Sequence, residues 1–226
     1  MEQRAMTGNT PLSGLHLSAP EFVSRAAARL SLHPPQGLTD PDFVPRHDDD
    51  DPAVMAAIAA MRSIRTSAVL VPVIARRELT VLFTQRTSHL RDHSGQVCFP
   101  GGKIDDVDAS PAAAALREAE EEIALDRRFV EPLGYLDVHI VPSGYRIVPT
   151  LALVREGFSV HISRAEVVDA FEVPLSFLMA SENHRRERAE WNGLPTRVYA
   201  ISFGDRTIWG VTAGIIRNLW EQIYRA

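Results

Sequence analysis

In the stretch REAEEEIAL, residues 117–125, Glu118, Glu121 and Glu122 fall at i, i+3 and i+4. On a helix that spacing puts their carboxylates on one face, while Glu120 points elsewhere. Three like charges repel one another, and these stand toward the negative end of the helix dipole, so the arrangement calls for a cation. Arg117 could supply part of the neutralisation on an exposed acidic face, the ordinary fate of a glutamate-rich helix. The other candidate is a hard divalent ion, Mg²⁺ or Mn²⁺, which prefers carboxylate oxygens and binds alongside substrate phosphates. A calcium loop opening at Asp106 is excluded. Asp108 and Ser110 have the right offsets, but Pro111 replaces the required glycine and Arg117 stands where the bidentate glutamate belongs.

Several elements must position these acids. Ser110 offers a capping hydroxyl, Pro111 suits the first helical position, and the residues from Ala112 onward are strong helix formers. Gly101 and Gly102 just before them allow a tight bend and close backbone approach to a phosphate or metal. Upstream, the β-branched runs SAVLVPVIA and LTVLFTQR, separated by RRE, predict a strand pair. Downstream, LGYLDVHIV, RIVPTLALV, FSVHI and TRVYAISF are strand-like. At the end, Ile208, Val211, Ile215, Leu219 and Ile223 recur at helical spacing and predict a closing amphipathic helix. Near the start, PEFVSRAAARL predicts a helix. A proline-spotted linker then leads to Asp48–Asp51, which would cap a second helix beginning at Pro52. The reading is an α+β fold: a mixed sheet sandwiched between helices over residues 64–226, preceded by a helical extension over residues 1–63.

Composition narrows the function. A chain of 226 residues that is 45% hydrophobic is ample for one core and short for two. A net charge of -5 gives no basic footprint, so no nucleic-acid partner is expected. Lys103 is the single lysine among 24 basic residues. The lone Cys98 rules out an internal disulfide and fits a reducing cytoplasm. It sits in an apolar strand-like run and is read as inert rather than nucleophilic. His89, His93, His139 and His161 lack metal-ligand spacing. The N-terminal residues lack the apolar core of a signal peptide, and no run is long enough to span a bilayer, so a cytoplasmic protein without a membrane partner is expected.

The stretch from Gly102 to Leu125 resembles the signature of the Nudix hydrolases: glycine, five residues, Glu, seven residues, Arg-Glu, an aliphatic, one residue, Glu-Glu, one residue, Gly, aliphatic. Gly102, Arg117, Glu118, Glu121, Glu122 and Leu125 match. Three departures stand out. The loop is one residue longer, Asp108 takes the place of the first Glu, and Ala119 and Ala124 stand where a larger aliphatic and a glycine are usual. The resemblance implies a Nudix fold and hydrolysis of a diphosphate linked to another moiety. It implies metal binding by Glu118, Glu121 and Glu122, with Arg117 holding the glutamate array. The general base is either a glutamate of this helix or an acid beyond it, for which Glu166 is the choice and Asp169 the alternative.

Upstream, residues 82–102 are similar to a further motif of the coenzyme A diphosphatases within that family. Leu82, Thr84, Arg86, Arg91, Gly95, Phe99, Pro100, Gly101 and Gly102 match at the right intervals, with Phe83 and Thr87 as mild departures. The resemblance runs from about residue 64 to about residue 220. It implies coenzyme A or its thioesters as substrate, with 3',5'-ADP and 4'-phosphopantetheine or its acylated form as products, and a homodimer. Arg86 and Arg91 are candidates for the separate 3'-phosphate, which a guanidinium grips as a fork, or else they tie down the loop. Two rivals follow: a broader hydrolase of ADP-ribose, NADH or dinucleotides, and a nucleotide-binding module without turnover.

Overall fold

The computed structural model describes residues 16–35, 38, 40, 42–43, 45–48, 51–61, 65–87, 95–140, 144–191 and 193–225. In chain order, helices α1 (Ala19–Arg29) and α2 (Pro52–Ala59) precede strands β1 (Arg65–Ile74), β2 (Thr80–Arg86), β3 (Val97–Cys98) and β4 (Gly101–Lys103). Helix α3 (Pro111–Ile123) follows, then β5 (Val130–Tyr135), β6 (His139–Ile140), β7 (Tyr145–Val154) and β8 (Val167–Pro174). The chain ends with α4 (Leu175–Met179), β9 (Arg185–Trp191), β10 (Leu194–Phe203), β11 (Arg206–Trp209) and α5 (Val211–Leu219).

β1 is the axis of the molecule. It runs parallel to β7 over its whole length, from Arg65↔Tyr145 to Ile74↔Val154, and antiparallel to both β2 and β4. The sheet is therefore mixed, in the order β3-β2-β1-β7-β5, with β4, β6 and β8 paired to β1, β7 and β2. A central strand covered on both faces must be apolar nearly throughout, which is why SAVLVPVIA shows little alternation. Ala68, Leu70 and Ile74 pack with Ala114, Ala115, Ala119 and Ile123 of α3. Val71 and Val73 belong to the opposite cluster, with Phe22 and Ala26 of α1 and Ile215, Ile216 and Leu219 of α5. The helices therefore lie on both sides of the sheet. α1 belongs to this core, because Phe22 is fully buried there, and truncating it to alanine should cost roughly 3–5 kcal/mol. Asp51 caps α2 by accepting from the Ala53 N–H at 2.8 Å.

The structure departs from the sequence reading in four places. The closing helix starts at Val211, not before. Gly210, at φ +62°, ends β11, where Ile208 pairs with Ile201, and the last turn widens into a π-helix over Trp220–Tyr224. LGYLDVHIV is divided between β5 and β6. FSVHI alternates like a strand but joins no sheet. Its backbone instead meets the end of α3, where His161 N–H donates to the Ile123 carbonyl at 3.0 Å and Ser163 N–H to that of Glu122 at 2.8 Å. It thus satisfies carbonyls that the helix end leaves open. Finally, the charged stretch RRERAEW forms β9, which pairs with β10 and β11 in a second, three-stranded sheet.

Candidate active site

Both ends of α3 show how its sequence works. Ser110 Oγ accepts from Ala113 N–H at 3.1 Å and Pro111 occupies the first turn, as the residue types demand. At the far end Ala124 takes the left-handed conformation, φ +54° and ψ +32°, where glycine is the usual residue. Between them the acidic face meets the β3–β4 turn. Phe99 is buried against Phe83, with ring centroids 5.0 Å apart, and the Pro100 carbonyl accepts from Leu70 N–H at 2.8 Å, which fixes the turn over β1. Gly101 N–H then donates to Glu122 Oε2 at 3.2 Å.

Gly101 is required by backbone contact, and Gly102 leaves the space that the Glu118 carboxylate occupies. A Cβ on Gly102 would stand 2.5 and 2.6 Å from the Glu118 carboxylate oxygens. One on Gly101, at φ +157°, would meet the Ala68 carbonyl and stand 2.7 Å from Val69 Cα. Their absent side chains let the acidic helix lie directly on β4.

Arg117 organises one side of the array. Its Nε and Nη2 donate to Asp108 Oδ1 and Oδ2 at 3.1 and 2.9 Å, its Nη2 to the Lys103 carbonyl at 3.1 Å and its Nη1 to Glu118 Oε1 at 2.8 Å. Glu121, more exposed, lies 3.4 Å from the same Nη1. The hydrogen bonds from Arg117 hold the Asp108 carboxyl below its ordinary range. The residue standing in the place of the motif's first glutamate is thus the arginine's forked partner, a contact that sequence spacing alone did not reveal.

Glu118 and Glu122 shift in the same direction. Burial raises the Glu118 carboxyl above its usual range; Arg117 opposes the shift, and the charges of Glu121 and Glu166 add to it. Glu122, only 2% exposed, is pushed by burial up to about 7, against the pull of Arg86 and the Gly101 N–H. Arg86 Nη1 lies 3.5 Å from Glu122 Oε1. The upstream stretch and the helix therefore meet through this pair.

One cleft of about 340 Å³ borders Arg86, Cys98, Gly101, Gly102, Glu118 and Glu166. Glu121 and Arg117 are not among its lining residues, and Glu122 reaches it through Arg86 and Gly101. Glu166 is exposed at the edge, whereas Asp169 is engaged by Arg206 at 2.6 Å. Burial pushes the Cys98 thiol up to about 11, consistent with an inert role. Arg91, His89 and His93 lie outside the described residues. His139 is buried, and burial lowers its imidazole. The cleft wall supplied by Tyr145, Ile147, Val211, Thr212 and Ile215 was not evident from spacing. These residues come from β7 and α5, and only the fold brings them to the site.

The donor set suits a hard divalent cation: oxygen ligands, two of them partly or fully buried with raised affinity for a proton, hence with negative charge the protein itself does not neutralise. Among the described residues no three acids or histidines already stand at metal-ligating spacing. Arg117 Nη1 sits between Glu118 and Glu121, so a bound cation would have to compete with it. No helix among the described residues is long and apolar enough to cross a membrane.

Residues 64–191 match the profile of the NUDIX domain. The chain is 42% identical over 159 residues to proteins named "Uncharacterized Nudix hydrolase NudL" from Yersinia pestis (strain Pestoides F) and Yersinia pseudotuberculosis serotype O:1b, covering 70% of this chain and 80% of theirs. Among solved structures, the NUDIX domain of Shewanella oneidensis NrtR complexed with ADP ribose is 24% identical, with a TM-score of 0.40 over 52% of this chain and 77% of that one. A C. elegans Ap4A hydrolase is 18% identical, with a TM-score of 0.42 over 48% of this chain and 79% of that one.

Proposed function

The chain belongs to the Nudix hydrolase family, and from that premise we propose that it hydrolyses the diphosphate bond of coenzyme A or its thioesters. The products are 3',5'-ADP and 4'-phosphopantetheine or its acylated form. The observation that carries this reading is the Arg86–Glu122 contact at 3.5 Å, which joins the stretch resembling coenzyme A diphosphatases to the glutamate helix at one cleft.

Nudix hydrolases generally use divalent ions, and Glu118, Glu121 and Glu122 are the residues that would hold Mg²⁺ or Mn²⁺ here. Such an ion supplies charge neutralisation to a diphosphate that otherwise repels nucleophiles. The chain's own residues do the rest. Arg117, anchored on Asp108, holds Glu118 and Glu121 in place. Arg86 presents a cation to a phosphate oxygen at the cleft. Arg91 is a second candidate for the 3'-phosphate. The Gly101 N–H fixes Glu122, and Gly102 admits the Glu118 carboxylate. Glu166, facing the cleft without an ion pair among the described residues, is placed to accept a proton from attacking water, a role that Asp169, tied to Arg206, fills less well. A homodimer, expected from the resemblance, is checked by light scattering.

The test incubates the protein with coenzyme A, dephospho-coenzyme A, ADP-ribose and NADH, with Mg²⁺ or Mn²⁺ and with a chelator, and identifies products by mass spectrometry. Metal-dependent release of 3',5'-ADP faster than any other cleavage is expected. A preference for ADP-ribose or NADH would select the broader hydrolase, and binding without turnover would select the nucleotide-binding module.

A further inference from the structure

The geometry points to the first turn of α5 as the subsite for the uncharged arm of the substrate, with Val211 as a specificity-determining residue; this rests on the coenzyme A reading above. The cleft is mixed in character. Its lining includes the charged Arg86, Lys103, Glu118 and Glu166 and the apolar Val69, Phe99, Ile147, Val211 and Ile215. Val69, Ile147 and Val211 are partly buried and pack against the core cluster that holds Phe99 and Ile215, so they are the rim of that core where it opens into the cleft. α5 contributes no charged side chain to the lining.

α3 and α5 cover opposite faces of the sheet, yet Glu118 and Val211 border one cleft. The passage between them runs past β4, whose Gly101 and Gly102 carry no side chains. Gly210, at φ +62°, turns the chain from β11 into α5 and brings Val211 to this point. A diphosphate held at Glu118 and Arg86 would therefore leave one substituent against an apolar wall. Phosphates and sugars gain nothing from that wall, whereas a chain of methylenes and amides loses apolar surface to it. The arm that differs between coenzyme A and ADP-ribose has this chemistry.

The experiment measures kcat and KM for acetyl-coenzyme A and ADP-ribose on the wild type, Val211→Asn and Val211→Leu, with circular dichroism confirming each fold. Val211→Asn makes the side chain polar without adding a charge. The ratio of kcat/KM for acetyl-coenzyme A to that for ADP-ribose should fall about tenfold, through KM, while Val211→Leu moves the ratio less than about twofold. Both substrates contain an adenosine diphosphate. An equal loss on both would place that shared half on the wall and overturn the assignment, as would an unchanged ratio in Val211→Asn. Turnover of ADP-ribose by the wild type with none of coenzyme A or acetyl-coenzyme A would instead overturn the coenzyme A reading on which it rests.

Discussion

Two of the arginine–carboxylate clusters among the described residues resolve burial in opposite ways. In the first, Glu221 accepts from Arg46 and Arg217 at 2.8 Å each, and Asp137 is held by Asn218 at 2.7 Å and Gln222 at 3.2 Å. Burial alone would raise the Glu221 carboxyl, but the hydrogen bonds from the two arginines outweigh it and hold the group below its usual range. In the second, burial raises Glu118 and Glu122, and Arg117 and Arg86 do not offset it. Arg117 spends its fork on Asp108, and Arg86 approaches Glu122 only to 3.5 Å. The chemical groups are the same in both clusters. What differs is whether the chain supplies its own counter-charge, and a deficit marks where charge from outside belongs.

The largest consequence is catalytic. Glu122→Gln and Glu118→Gln keep the shape but remove the uncompensated charge, and each should lower kcat by about 10²–10³-fold or more, with the circular dichroism spectrum unchanged. Wild-type rates in either variant would sink the distinction between the clusters. The second consequence is a divergence with pH. The folded Glu122 carboxyl titrates near 7 and the unfolded one near about 4.3, so the folded, metal-free chain binds more protons between those values. Its stability should therefore decline as pH rises through that window, by at most about 4 kcal/mol. Glu221, depressed in the folded chain, acts the other way: its contribution is full above the unfolded value and is lost on acidification. Melting curves at pH 5, 6, 7 and 8 with and without Mg²⁺ separate them, and the upward shift caused by Mg²⁺ should be greater at pH 8 than at pH 6. A shift independent of pH would remove Glu122 from the cation's neighbourhood.

How far this could be read from sequence depended on whether neighbours in space were also neighbours in the chain. The cap of α3, the strand pair β1 and β2 and the mixed sheet follow from local rules and were legible. β9 was not, because seven residues as polar as Arg185–Trp191 become a strand only through pairing with β10. FSVHI misled for the converse reason: its alternation is real, with Phe158, Val160 and Ile162 packed on the α3 cluster, but its hydrogen bonds go to a helix end. At the site, residue types offered a set of candidate acids. They could not show that Glu122 is buried and Glu121 is not, or that Asp108 holds Arg117 and α5 walls the cleft.

The balanced cluster should fail as a structure, not as a catalyst. Glu221→Gln leaves two partly buried arginines short of a partner. It should cost roughly 1–3 kcal/mol in denaturant unfolding with kcat within about twofold of wild type. A comparable loss of turnover would mean that the two clusters are coupled.

The smallest effect lies at the end of the acidic helix. Ala124 sits at φ +54°, where a Cβ costs about 1–2 kcal/mol, and its N–H closes the helix onto the Ala119 and Glu120 carbonyls. Ala124→Gly removes that cost but gives the unfolded chain more freedom to lose, so the net gain should be about 0.5–1 kcal/mol. Because Ala124 is exposed and absent from the cleft lining, this gain should come without a change in the pH at which Glu122 titrates. If Ala124→Gly moved the pH profile as well as the unfolding midpoint, the strained residue would be helping to hold Glu122 in its buried position. The deficit of counter-charge would then be a property of the helix end as much as of the surrounding cations.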